Sequence, residues 1–158
     1  FRSCILYDMA KGKCTYLREV EIRYNRKRAD GDLAGANAAD PQKIVSLFSD
    51  LEDETKEKFI TVSIDSRFKI LCFEVVAVGA VNRVSIRPLE VFRTSFVFNA
   101  YGAIILHNHP TGDPTPSPAD KSFTRKLKRF ADAAELRLHD HIIIGKDDHY
   151  SFAMNNLL

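Results

Sequence analysis

The sequence predicts an α/β (α+β) domain: a mixed central β-sheet flanked by helices. Three observations lead there. Strand and helix patterns alternate along residues 40–158, a short turn joins two of the strands as a hairpin, and Ala103 to Leu106 form a continuous apolar run of the kind buried on both faces of a sheet. At 158 residues and 45% hydrophobic, the chain fills one core and leaves no room for a second large domain.

Taken in order, Val20, Ile22 and Tyr24 alternate with Glu19, Glu21 and Arg23, which predicts a half-buried strand over 16–24. A basic cluster follows (Arg23, Arg26, Lys27, Arg28), then a loop over 29–39 rich in Ala, Gly, Asp and Asn. That loop divides an N-terminal extension, 1–39, from the main domain, 40–158. Asp40-Pro41 is a helix start, with Ile44, Leu47, Phe48 and Leu51 forming one apolar face. Phe59 to Ile64 and Phe68 to Val78 read as a hairpin about Asp65-Ser66-Arg67, ended by Gly79.

Pro88 opens a helix whose packing face includes Val91, Phe92, Ser95, Phe96 and Asn99. After the 103–106 strand, a loop over 108–118 carries Pro110, Pro114, Pro116 and Pro118. A long helix then places Phe123, Leu127, Phe130 and Ala134 on one face. Leu136 to Ile144 is the next strand, Gly145 to Asp148 a turn, and Tyr150 to Phe152 a short last strand.

Composition excludes some functions. Lys and Arg number 23 against 21 Asp and Glu, and the resulting +2 is too small to imply nucleic-acid binding by itself. No stretch approaches the roughly 20 apolar residues of a membrane span, and a signal-peptide pattern is lacking, so no membrane association is expected. The chain begins at Phe1 rather than Met, so the lack of a targeting segment carries little weight. Cys4, Cys14 and Cys72 are odd in number and show no C-x-x-C spacing. They read as small thiols in a reducing, cytoplasmic setting rather than as a disulfide framework or a cysteine zinc site.

The chemistry lies in His107-Asn108-His109-Pro110, followed by Ser117 and Asp120. Side chains at i and i+2 of an extended segment point to the same side, so both imidazoles can face one point beyond the strand end. Ser117-Pro118-Ala119-Asp120 is a helix start, with Ser as N-cap, Pro at the first position and Asp at the third. Asp120 can therefore aim its carboxylate back at the strand end. Two histidines and a carboxylate suit zinc and leave a fourth position open, where a water can have its pKa lowered toward ~7. The loop prolines hold the ligands near that geometry. Taken singly, an i, i+2 histidine pair is commonly structural, Asp120 a capping residue and Ser117 an N-cap. Other metal motifs do not fit: there is no H-E-x-x-H, no deaminase H-x-E with P-C-x-x-C, and a barrel amidohydrolase needs ~250 residues.

HNHPTGDPTPSPAD closely resembles the JAMM (JAB/MPN+) metal motif in the form found in RadC proteins. EKFITVSID, EVVAVGAVN, RPLEVF, NAYGAIILHNHP, DHIIIG and YSF resemble RadC counterparts too, so the likeness covers about residues 40–158. It implies a cytidine-deaminase-like JAB/MPN fold and a zinc metallopeptidase or isopeptidase-like activity. His107, His109 and Asp120 would bind one zinc ion, and Ser117 would hydrogen-bond the reacting oxygen. Glu57 would be the general base and then the acid that protonates the leaving amine. Spacing alone does not select Glu57 over Glu52, Glu54, Glu74 or Glu90, and Glu74 is the fallback. The wider JAMM class implies a peptide or protein substrate whose extended tail lies beside a strand edge.

The chain departs from the family at Leu89, where Pro-Arg-Glu is usual, and at Thr111, where Ser is usual. A helix-hairpin-helix region is not evident in residues 1–40. The alternative function is a DNA-repair-associated, nucleic-acid-binding accessory protein, supported by the 23–28 cluster and by Lys121, Arg125, Lys128 and Arg129. A metal-free scaffold is a third reading, and the intact ligand set argues against it. Strict alternation puts Leu136, Leu138, Asp140, Ile142 and Ile144 on one strand face, with Asp140 a candidate acceptor for the free N–H of a metal-bound histidine. His139 and His141 then fall on the other face as structural residues, and His149 is a solvated turn residue.

Overall fold

The computed structural model describes residues 38–79 and 86–158. The expected strand at 16–24, the basic cluster, most of the 29–39 loop, Cys4 and Cys14 lie outside the described residues. Among the described residues, five strands form one mixed sheet: β1 (Lys58–Ile64), β2 (Ile70–Val78), β3 (Gly102–Asn108), β4 (Arg137–Ile144) and β5 (His149–Ser151), in the order β2-β1-β3-β4-β5. Of these strands only β3 and β4 run parallel, and the helix α4 (Pro118–Ala133) makes the crossover between them. The expected fold class, a mixed sheet with helices on both faces, is what the chain adopts.

Helix α1 (Pro41–Leu47) starts where the Asp40-Pro41 signal places it, with the Asp40 carboxylate accepting from the Gln42 amide at 3.0 Å. It ends sooner than its apolar face suggests, and a 3-10 turn over Ser49–Asp53 carries Leu51 into the core instead. Together they cover one sheet face: Ile44, Phe48 and Leu51 pack on Ile60, Val62, Ile64, Ile104, Leu106, Ile142 and Ile144. The helix opened by Pro88 breaks at Phe92 into α2 (Pro88–Val91) and α3 (Arg93–Val97). With α4 these cover the other face, where Phe92, Phe123 and Leu127 meet Phe59, Ala103 and Ile105.

The hairpin β1–β2 forms, but β2 begins at Ile70 because Phe68, at φ 60°, belongs to the turn. β3 is buried along its whole length, as its apolar run requires. Its odd-numbered residues Ala103 and Ile105 face α4, and its even-numbered Ile104 and Leu106 face α1.

One irregularity changes the phase of β4. Ala103 pairs with Leu138, but Ile104 pairs with Asp140, so His139 is an extra, bulged residue. Before the bulge, Leu136 and Leu138 face α4; after it, Ile142 and Ile144 face α1. The expected single face from Leu136 to Ile144 is therefore wrong. His141, with Leu138, lies toward α4.

Candidate metal centre

β3 ends in His107, which continues the α4-facing side of the strand and is fully buried. His109 follows just beyond the strand, its backbone N–H bonded to the Ile144 carbonyl at 2.9 Å. Asp120 comes from the first turn of α4 and is also fully buried. Ser117 caps that helix. Its hydroxyl accepts from the Asp120 N–H at 3.1 Å and donates to Asp120 Oδ2 at 2.5 Å, while its own N–H donates to the same oxygen at 2.8 Å. These bonds fix the carboxylate against its helix.

The three side chains converge. His107 Nε2 lies 3.1 Å from His109 Nε2 and 3.3 Å from Asp120 Oδ1, and His109 Nε2 lies 3.6 Å from Asp120 Oδ2. One ligand atom from each of His107, His109 and Asp120 lies within 4.8 Å of the others, the arrangement expected of residues that could share a metal ion. Burial works against the charge on Asp120, but the neighbouring His107 and His109 rings and the Ser117 hydroxyl outweigh it and hold its carboxyl far below the usual carboxylate range.

The chemistry of the donors fits a cation. His109 Nδ1 lies 2.8 Å from the Asp113 carbonyl, which can only accept, so Nδ1 carries a proton, and in the neutral form of the ring Nε2 turns its lone pair into the cluster. A carboxylate and two inward-facing nitrogens at these distances suit a cation held between them. Two nitrogens and one oxygen, with no sulfur, suit zinc in an open site.

Glu57 stands one residue before β1, with its carboxylate Oε1 3.9 Å from His107 Nε2. At 17% side-chain exposure it also lines a cleft of about 570 Å³ with Thr55, Lys56, Val78, Gly79 and Pro110. Its carbonyl accepts from the Gly79 N–H at 2.8 Å. Of the four alternatives, Glu74 pairs with Arg93, Glu90 with Arg87 and Glu54 with Lys58, while Glu52 lies in the 3-10 turn before β1. Glu74 is paired in register with Thr61, well along β1 from the Phe59–His107 pair, so the fallback is not at the cluster.

The residue between the two histidines was not anticipated. Asn108 points to the α1 side, opposite to His107, and is 1% exposed. Its Oδ1 accepts from the Lys58 N–H at 2.7 Å, and its Nδ2 donates to the Lys56 and Glu54 carbonyls at 3.2 and 3.3 Å. Those three backbone positions bracket Glu57.

Asp140 does not touch a metal-cluster histidine. Its carboxylate accepts from the His141 and Ala153 N–H groups at 2.7 and 2.9 Å and from the Ser151 hydroxyl at 2.5 Å, which fastens β4 to the end of β5. Burial raises its pKa, and these bonds offset part of the rise. The bulge at His139 gives the place at the cluster to His141, whose Nε2 lies 2.8 Å from His107 Nδ1. Gly102 was the available sign. A Cβ there would meet His139 Cδ2 at 2.4 Å and the Arg137 carbonyl at 2.7 Å, and a glycine inside a strand marks such close approach. The basic residues Lys121, Arg125 and Arg129 are exposed on α4, and Lys128 pairs with Asp132 at 2.6 Å. Among the described residues, no helix is long and apolar enough to cross a membrane.

Residues 38–157 match the RadC-like JAB domain family. The chain is 34% identical over 152 residues to a UPF0758 protein of Coxiella burnetii, an alignment covering 93% of this chain and 67% of that one. It is 39% identical over 108 residues to a UPF0758 protein of Chlorobaculum parvum, covering 68% and 49%. A UPF0758 protein of Aquifex aeolicus is 34% identical over 132 residues, covering 84% and 57%. The chain thus spans about half to two thirds of these relatives' length.

Proposed function

The chain belongs to the RadC-like JAB domain family, and on that premise we propose that it is a zinc-dependent hydrolase of the JAMM type, acting on the amide bond of a peptide or isopeptide. The observation that carries this reading is the convergence of two imidazoles and a carboxylate within 4.8 Å, with the Glu57 carboxylate 3.9 Å from one of the imidazoles. His107, His109 and Asp120 would hold the ion. A bound zinc supplies Lewis acidity, polarising a carbonyl and acidifying a water.

The chain's own groups do the rest. Glu57 lines the cleft and would accept a proton from the attacking water and pass it to the departing amine nitrogen. Its backbone is held by Gly79 and, on both flanks, by Asn108, so its carboxylate moves from a fixed base. The Ser117 hydroxyl donates to Asp120 Oδ2, and rotation about its Cβ–Oγ bond would redirect the proton to the developing oxyanion. An extended peptide suits the cleft, because Val78 ends β2, the edge strand of the sheet among the described residues, and Gly79 follows it.

The test is cleavage of a peptide library by purified protein, with and without chelator and with Glu57→Gln. The reading expects chelator-sensitive cleavage, restored by zinc, and a Gln variant that keeps its zinc but loses turnover by a factor of about 10²–10⁴. Cleavage indifferent to chelator, or undiminished in the Gln variant, would overturn it.

A further inference from the structure

We propose that Thr124 and His141 are positioning residues that lock His107 in the tautomer whose Nε2 is open to a metal. This inference rests on the metal-centre reading and adds to it two residues that touch no substrate. The argument is a count of protons along one buried chain of hydrogen bonds. It starts at the Asp120 backbone carbonyl, which can only accept, so the Thr124 hydroxyl donates to it at 2.7 Å. With its single proton committed, Thr124 Oγ1 accepts from His141 Nδ1, 2.7 Å away. A neutral His141 has then used its one N–H, and its Nε2 is an acceptor. His107 Nδ1, 2.8 Å from that nitrogen, must therefore carry the proton of its ring and donate it. The remaining nitrogen of His107, Nε2, turns a lone pair toward His109 and Asp120.

With both rings neutral, each bond has one direction, set from a backbone carbonyl that can only accept. The circuit leaves one ligand, Asp120, by its main chain and returns to another, His107, by its side chain. Helix α4 therefore places a carboxylate in the cluster and, one turn later, fixes the proton on the imidazole opposite. All the members are shielded: Thr124 is 1% exposed, and His107 and His141 are fully buried. The His141 ring lies between Phe152, stacked at 5.0 Å and 11°, and the edge of Phe59 at 5.8 Å, so it has little freedom to turn over. Asp140 adds to this by tying the chain at Ser151 and Ala153, on either side of Phe152.

The test reads tautomers directly. Long-range proton–nitrogen NMR on ¹⁵N-labelled protein, zinc-free and zinc-loaded, reports which nitrogen of His107 and of His141 bears hydrogen. The wild type is expected to show Nδ1–H on both rings in both forms. Thr124→Val keeps the shape but removes the hydroxyl. It should mix the tautomers of both rings and weaken zinc binding about 10–100-fold, while Thr124→Ser should restore both properties. An Nε2–H tautomer of His107 in the zinc-free wild type would overturn the proposal. So would a folded Thr124→Val protein with wild-type tautomers and wild-type zinc affinity. If the wild type took up no zinc, the metal reading would fall on its own, and the zinc-free spectra would still decide whether the relay sets the tautomer.

Discussion

Asn108→Ala separates the scaffold of the proposed proton shuttle from the metal ligands on either side of it. Asn108 makes three hydrogen bonds to backbone groups of residues 54–58, at 2.7, 3.2 and 3.3 Å, from a site 1% exposed. At about 0.5–1.5 kcal/mol for each bond, the substitution should cost about 2–4 kcal/mol. For a chain of this size that lowers the melting temperature by about 5–15 °C. His107 points to the opposite side of the sheet, so zinc affinity should stay within about threefold of wild type. Urea unfolding followed by circular dichroism gives the energy, and chelator competition gives the affinity. Hydrogen exchange should quicken at residues 54–58 but not in α4. A loss below about 0.5 kcal/mol with unchanged exchange would show that the clamp does not hold the Glu57 segment. A large loss of zinc would show that Asn108 serves the cluster itself.

Two further outcomes follow from close packing and from burial. Gly145→Ala would set a Cβ 2.4 Å from the Gly112 carbonyl and 2.6 Å from Pro114 Cδ, pushing on the loop that begins at His109; it should cost about 1–3 kcal/mol and weaken zinc binding, read by melting and chelator competition. Burial, helped by the nearby Arg137 charge, lowers the pKa of His139 from 6.5. The folded state then binds fewer protons than the unfolded one just below that value, so this contribution to stability is complete above pH 6.5 and is lost as the pH falls through it. His139→Leu should flatten the fall in urea midpoint between pH 7 and 5.5, and an unchanged slope would assign the acid sensitivity to other groups.

The sequence made the cluster legible because two strong periodicities meet there. An apolar strand sends residues i and i+2 to one side, and the Ser-Pro start fixes which turn of α4 carries Asp120. Neither signal depends on distant contacts. Asp140 and His141 exchanged places because a single bulged residue reverses the alternation, and period-two reasoning has no term for it. Gly102, against which His139 packs, was the only local mark. Asn108 was passed over for a different reason: its partners are main-chain atoms 50 to 54 residues away, visible only once β1 and β3 are paired. The splitting of the Pro88 helix at Phe92 and the early end of α1 are tertiary effects of the same kind, since an apolar 3.6-residue pattern continues through both breaks.

The most direct test of the whole account is zinc-edge X-ray absorption on protein reconstituted with one equivalent of zinc. Two imidazole nitrogens and carboxylate or water oxygens at about 2.0–2.2 Å are expected, with the signal and the stoichiometry lost in Asp120→Ala. A sulfur neighbour near 2.3 Å, or stoichiometric zinc that persists in Asp120→Ala, would place the ion elsewhere and remove the basis for hydrolysis at this site.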